Sequence, residues 1–416
     1  MKIAFRIPAR GAAPLPRLIA LTCLLAAGAV GCSDSGDDPA DTGPAQEAVI
    51  ENYAQLVSAN YADALATAKD LDKAVSAFLA SPSGPTLTKA KNAWLTSRDP
   101  YGLSEAYRFY QGPIDNDDTT DDIADGPEGL LNSWPLDESY IDYAVGVVDG
   151  KEMIVNGGII NMPDDFPTID AEALSAANGA TGETSISTGY HAVEFLLWGQ
   201  DRSDDGPGER PYTDYVTGAD GTAENQDRRA QYLAIVSRLI VDDLTTVNDA
   251  WQDGEANYRA DFLTMPPREA LGKMLLGMGS LSGAELSGER MDVAYVNKDQ
   301  EDEHSCFSDN TLKDLENNAT SIQNVLLGTY GDLDGPGIDD LVEAKSPALA
   351  NELREQIQDA IDNIKAVPAP FDQAILGNND SEGRVHVLAA IRSLQDFTLT
   401  LVEAASALDI DLKLDE

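Results

Sequence analysis

An all-α chain of two antiparallel four-helix-like bundles, preceded by an export signal and a tether, is the fold class this sequence predicts. Three observations carry it. Apolar residues recur at three- and four-residue steps over most of the 416 positions, the period of a helix with one buried face. No succession of short alternating strands appears, which disfavours an all-β or doubly wound fold. A polar, glycine-rich stretch at 199–223 interrupts the helical pattern near its middle, and bundles on either side are the economical way to bury such stripes.

The first segment sets the compartment. Lys2, Arg6, Arg10 and Arg17 form a basic region with no acid before Asp34, and an apolar run from Leu18 to Val30 follows. That run is too short to span a bilayer as a stable helix and reads as a signal peptide over 1–31. It ends in Ala29-Val30-Gly31-Cys32, a lipoprotein-type processing site at which the Cys32 thiol would carry the lipid. Ala29 is a weaker first residue for that box than Leu, so plain secretory cleavage stays open. Ser33 after the cysteine points to the outer membrane, and residues 32–46, rich in Asp, Gly, Ser and Pro, read as a flexible tether. No second apolar span is expected, so the location implied is the bacterial cell envelope, by lipid anchor.

From residue 47 the elements follow in order. Val49, Tyr53, Leu56, Val57, Tyr61, Leu65, Ala68, Leu71, Val75 and Phe78 make one apolar stripe over 47–79. Further helices are expected near 86–97, 103–110, 187–198, 224–252, 268–286, 311–326, 347–367 and 383–408. Pro and Gly punctuate the gaps, as in Ser81-Pro82-Ser83-Gly84-Pro85 and Gly335-Pro336-Gly337. Val145–Val148 and 153–155 about Asp149-Gly150 predict one small hairpin. The domains expected are 47–215 and 216–416.

Charge and cysteines exclude whole classes. Seventy-two acids against 28 Lys and Arg give a net charge of −44, and removal of the basic signal makes the mature chain more acidic still. General nucleic-acid binding, which needs a basic face to neutralise phosphates, is excluded. Such acidity attracts cations, and equally describes a solvated surface adapted to salt. Of three cysteines, Cys23 leaves with the signal and Cys32 would be acylated, so Cys306 has no partner for an internal disulfide.

Chemistry concentrates around two of the three histidines. In Ser187-Thr188-Gly189-Tyr190-His191-Ala192-Val193-Glu194-Phe195, a helix puts the His191 imidazole and the Glu194 carboxylate on one face. That is two metal ligands from one helix, or equally a buried His–Glu hydrogen bond. A zinc peptidase of the common kind needs His-Glu-x-x-His, and here Phe195 stands four residues after His191. Around His304, the acids Asp299, Glu301, Asp302 and Glu303 would raise its pKa or join it about a hard or borderline cation; a solvated charge run is the commoner fate. Cys306 reads as a small buried hydrophobe and His386 as structural. Arg98, Glu105, Glu289 and Arg290 lie among apolar residues, where a buried charge needs a partner; they pair with one another or line a cleft.

Taken together these stretches resemble the imelysin family. Its Gly-x-His-x-x-Glu signature is matched by Gly189, His191 and Glu194, and the surrounding segment through Asp201 is similar throughout. Similar too are 94–109, 133–143, 208–215, 288–291 and 301–311, with Glu303-His304-Ser305-Cys306-Phe307-Ser308-Asp309 pointing to the iron-regulated branch. The resemblance covers most of the chain from about residue 47. It implies two helical bundles facing each other with the signature near their junction, a periplasmic or surface location and a link to iron supply. Two functions follow as expectations. In the first, a divalent or trivalent metal, iron foremost, binds between the bundles at His191 and Glu194, with His304 or Glu105 completing the site and Gly189, Arg98, Glu289, Arg290 and Asp201 in support; iron-transport components would be the partners. In the second, the protein is a zinc peptidase with Glu194 as general base. A metal-free polar clasp of His191, Glu194 and Arg290 around a small ligand is a third possibility.

Overall fold

Thirty-five residues without a glycine or proline, Gln46–Ala80, form the longest helix, α1. The apolar stripe read from the sequence is its buried face, from Val49 to Phe78. The computed structural model describes residues 43–117, 125–148, 150–203, 206–254 and 256–414. The signal, the tether and Cys32 fall outside the described residues.

After the Ser-Pro-Ser turn comes α2, Gly84–Gly102. The Ser83 hydroxyl accepts from the backbone N–H of Thr86, and Pro85 occupies the first turn, where its missing N–H costs nothing. Next among the principal helices is α3, Gly189–Trp198, all ten residues of which are buried. It is apolar nearly all round, as a helix enclosed by others must be. Helix α4, Gln226–Trp251, follows the glycine-rich loop. Helix α1 packs on α2 and α4, and α3 packs on the same two. Thus α4, though it lies beyond the sequence boundary at 215, joins the helices that precede it.

The second group begins with α5, Pro267–Ser280. Where a single α-helix over 268–286 was expected, the chain widens into a π-helix over Leu281–Asp292 and tightens again at Val293–Asn297. Gly277, Gly279, Gly283 and Gly288 weaken the α preference of this run. Helices α6 (Thr311–Leu327), α7 (Pro347–Lys365) and α8 (Glu382–Ala407) complete the group. Helix α7 packs on α6 and α8, and the π-helix packs on α6 and α8. The two groups meet where α2 lies against α6 and α1 against α5. Their apolar side chains form one continuous core, and Thr42–Glu416 is one compact unit.

Three expectations need correction or extension. The helix expected at 103–110 is only a 3-10 turn, Glu105–Tyr107. Phe109 at φ 72° and Gln111 at φ 57° turn the backbone left-handed there, and the Gly112 N–H is taken by Asp115. The hairpin is present as β1, Ala144–Val148, paired antiparallel with β2, Lys151–Val155. Among the described residues α8 is long and apolar enough, by length and composition alone, to cross a membrane, as a core helix can also be. Its Val387, Ile391, Leu394, Phe397 and Leu401 are buried against the neighbouring helices.

Candidate functional site

Gly189 fixes where α3 begins. Its φ is +84°, and a Cβ there would lie 2.5 Å from the Leu131 carbonyl oxygen and 2.7 Å from that of Leu130. Only glycine fits both the left-handed backbone and the close approach. Two residues on, His191 is 1% exposed, and Glu194 is fully buried one turn later. The His191 Nδ1 lies 2.9 Å from the Glu194 Oε2. The other carboxyl oxygen, Oε1, accepts from the Ser308 backbone N–H at 2.9 Å and from the Ser308 hydroxyl at 2.6 Å. Glu194 therefore spends both oxygens on protein. His191 keeps one buried nitrogen, Nε2, without a partner.

The second imidazole comes from the segment between the π-helix and α6. The ring of His304 stands edge-on to that of His191, with centroids 4.8 Å apart and planes at 73°. Its Nδ1 lies 3.0 Å from Asp314 Oδ2 on α6. The same carboxylate takes Arg98 from α2 through two bonds, at 3.3 and 3.0 Å, and also receives the Ser305 hydroxyl and the Asn310 amide. Each imidazole is thus held at Nδ1 by a carboxyl group, the arrangement that orients a metal-binding histidine and leaves Nε2 outward.

Around the pair runs a buried network of guanidinium and carboxylate groups. Arg290, on the π-helix, reaches Glu105 and Glu285 at 2.8 Å each. Arg108 reaches Glu105 at 3.1 Å, Glu128 at 2.6 Å and Glu285 at 2.9 Å. Asn132 bridges the two halves of the network, accepting from Arg98 at 2.7 Å and donating toward Glu105 at 3.4 Å.

Burial and these charges set the protonation states. Desolvation, helped by Arg98, lowers His191 to about 3. Desolvation and then Arg290 lower His304 to about 3. Burial raises Glu194 to about 8, the Ser308 bonds opposing it. Burial also pushes Asp314 up, but Arg98 and His304 outweigh it and hold the carboxyl well below its usual range. Arg290 and Arg108 likewise overcome burial at Glu285, which falls to about 2. At neutral pH both imidazoles are uncharged and Asp314 and Glu285 are ionised, while burial favours the protonated form of Glu194.

The residues singled out in the sequence are distributed as follows. His191, Glu194 and His304 come together. Glu105 is held by Arg290 and Arg108, and Arg98 pairs with Asp314 rather than with Glu105. Glu289 is exposed on the wall of a cleft. Asp201 lies elsewhere, accepting from the Ser203 backbone and from the Gln300 amide. Asp314, Arg108, Glu128, Glu285, Asn132 and Ser308 escaped the sequence reading. One signal for Asp314 was present: Thr311, Asp314, Asn318 and Ser321 recur at three- and four-residue steps and form a buried polar stripe on α6.

These donors fit a metal in part. The orphaned Nε2 of His191 belongs to a ring that stands beside the His304 ring, and imidazole nitrogen is a donor type that suits borderline first-row cations. Among the described residues no three His, Cys, Asp or Glu side chains are grouped to hold a metal ion. The nearby carboxylates are occupied by arginines, and Glu194 acts on His191 rather than beside it.

Fold and site together define a class: mostly helical proteins with a buried pair of imidazoles. The chain belongs to the imelysin family, Peptidase M75, whose model matches residues 57–401. It is 22% identical over 357 residues to iron-regulated protein A of Synechococcus elongatus, covering 83% of this chain and 82% of that protein. The crystal structure of a candidate iron-regulated protein A precursor from Parabacteroides distasonis superposes with a TM-score of 0.66 at 21% identity, covering 88% of this chain and 96% of that one. That likeness shows the fold.

Proposed function

We propose that the protein binds a divalent first-row cation, ferrous iron foremost, at Nε2 of His191 and His304, and holds it as cargo for iron supply in the bacterial cell envelope. On this reading the helices form two antiparallel four-helix groups with the site at their junction, Cys32 carries the anchoring lipid, and iron-transport components receive the cargo. The observation that carries the proposal is the free, buried Nε2 of His191 next to a second imidazole, each ring braced at Nδ1 by a carboxyl group. A buried nitrogen with no hydrogen-bond partner is costly unless a ligand or water compensates it. The iron-regulated relatives support the choice of metal.

Glu194 then works as a positioning residue. Its proton lies between Oε2 and the His191 Nδ1; binding at Nε2 needs that nitrogen's lone pair, so Nδ1 must carry the hydrogen and Glu194 must lose its own. Cation uptake should therefore release a proton and strengthen toward pH 8. Calorimetric titration of the soluble chain with ferrous, ferric, zinc and copper ions is the test. Loss of binding in His191→Ala and His304→Ala is the expected result; isotherms identical to wild type would reject the assignment.

A peptidase reading draws support from the family's designation alone. A general base needs an ionised carboxylate facing water, whereas Glu194 is fully buried, burial favours its protonated form, and both its oxygens are engaged by protein. Chelator-sensitive cleavage of an unfolded substrate, abolished by Glu194→Gln, would reverse this preference.

A further inference from the structure

A cleft of about 1000 Å³ lies beside the charged network. Its walls are the 126–135 segment, the 178–186 loop and one side of the π-helix. Its charged lining residues are Glu183, Glu285, Glu289 and Asp302, with no lysine, arginine or histidine among them. Trp134 supplies an aromatic wall.

Two of those lining groups connect the cleft to the imidazoles. The Trp134 ring is 5.5 Å from the His304 ring, edge-on, and its indole N–H donates to the Glu303 carbonyl. Glu285 accepts from both Arg290 and Arg108, and Arg290 also holds Glu105, which accepts from Asn132 in the network around the rings. The cleft thus reaches to within one side chain of His304, and the partnerless Nε2 of the buried His191 belongs to the ring beside it. A bare ion needs nothing like this space. A cation with its six waters occupies roughly 200 Å³ at about 30 Å³ per water, so the cleft has room for a hydrated ion or a small complex.

We propose that this cleft is the entrance to the imidazole pair and a charge filter: it admits a hydrated divalent cation or a positively charged complex, and rejects anionic chelates. The proposal rests on the metal-binding reading above and adds the substrate class. Carboxylates of one sign in a cleft with low-dielectric walls concentrate cations and repel anions. A chain carrying −44 overall reinforces the same sign. Glu285 is neutralised by its arginines, so the filtering falls to Glu289, Asp302 and Glu183, which pair with no cationic side chain among the described residues. Glu289 and Glu183 are exposed and Asp302 half-buried.

The test uses ferrous ion under anaerobic conditions and ferric citrate as the anionic chelate, with wild type, Glu289→Lys/Asp302→Lys, Glu289→Gln/Asp302→Asn and His191→Ala. The expected result is an association rate for ferrous ion that falls with ionic strength in wild type. It should be at least tenfold slower and nearly salt-independent in the lysine variant, with an intermediate value for the amide variant. Wild type should bind ferric citrate at least tenfold more weakly than ferrous ion, and the lysine variant should narrow that gap. Thermal melts establish that each variant is folded, and the amide variant keeps the test decisive where the lysines disturb the π-helix. Ferrous rates within twofold of wild type in both rim variants, or equal wild-type affinity for the two probes, would overturn the filter. Should His191→Ala abolish binding while the rim variants do nothing, the filter alone falls. Should wild type and His191→Ala both fail to bind ferrous ion, the metal reading falls and the filter with it.

Discussion

His191 and Glu194 sit one turn apart, yet they are not equivalent ligands. The carboxyl faces Nδ1, so its removal should act through the ring's orientation. Glu194→Gln preserves an oxygen able to accept from Nδ1 and should weaken cation affinity roughly 10–100-fold, the usual effect of losing a bracing partner. His191→Ala should abolish binding; equal losses in calorimetry would place Glu194 in direct contact with the ion. Asp314 bears a different burden. It neutralises Arg98 in a site where both side chains are at most 1% exposed. Asp314→Ala leaves a buried guanidinium unpaired and should cost about 3–5 kcal/mol in urea unfolding. The paired replacement Arg98→Met/Asp314→Leu should recover much of that loss, a coupling that a double-mutant cycle measures directly. The His–Glu spacing was legible in the sequence because a helix brings i and i+3 to one face. The bond from His304 to Asp314 was not: the nine intervening residues form no continuous helix, so no periodicity joins them. Likewise Arg98 meets Asp314 across 216 residues, a pairing only the packing of α2 on α6 creates.

At the level of elements, the signature's glycine is a packing requirement rather than a chemical one. Helix α3 starts against the carbonyls of Leu130 and Leu131, and Thr188 pins the same turn by donating its hydroxyl to Leu130 at 3.0 Å. Gly189→Ala must shift the helix start or distort the 130–131 turn. A loss of about 1–3 kcal/mol is expected, together with weakened cation binding, because His191 follows two residues later. Unchanged melting and unchanged affinity would show that the turn yields freely. The long amphipathic helices were legible to within a few residues because each buries one regular stripe. Irregular elements were not. The π-helix follows i to i+5 bonding, and this spacing brings Arg290 onto Glu285 five residues earlier; a reading built on 3.6 residues per turn separates them. The 103–110 segment carried helix-like periodicity, but its residues serve buried charges and a left-handed turn instead. The pairing of buried charges displaced the local pattern in both places.

For the whole molecule, opposing proton linkages meet at the site. Both histidines bind protons near 6.5 when unfolded and only near 3 when folded. Between those values the unfolded chain holds more protons, so their contribution to stability is complete above 6.5 and drains away as the pH falls toward 3. Asp314 and Glu285, held low by arginines, add to the loss at the acid end. Glu194 has the opposite sign. The folded state keeps its proton up to about 8 while the unfolded chain releases it near 4.5, so its contribution is lost as the pH rises through that window. Burial raises Glu301 to about 7 and Asp309 to about 6 in the same direction, each with other carboxylates for neighbours. Urea midpoints taken from pH 4 to 9 should therefore pass through a maximum, with each limb tied to named groups. Glu194→Gln should flatten the alkaline limb. His191→Gln/His304→Gln should steepen the fall with rising pH between about 4.5 and 6, where the raised carboxyls of Glu194, Glu301 and Asp309 hold more protons in the folded chain than the two imidazoles hold in the unfolded one. Salt separates these buried terms from the surface. A net charge of −44 repels itself over distances that added electrolyte screens, so raising sodium chloride from 10 to 150 mM (about 30 to 8 Å in screening length) should increase the melting temperature at pH 8. The midpoint differences between wild type and the Glu194 or histidine variants should stay nearly constant, because buried groups are screened little. A salt response as large in those differences as in the melting temperature would mean that the site is open to solvent, and the burial that sets its protonation states would have to be abandoned.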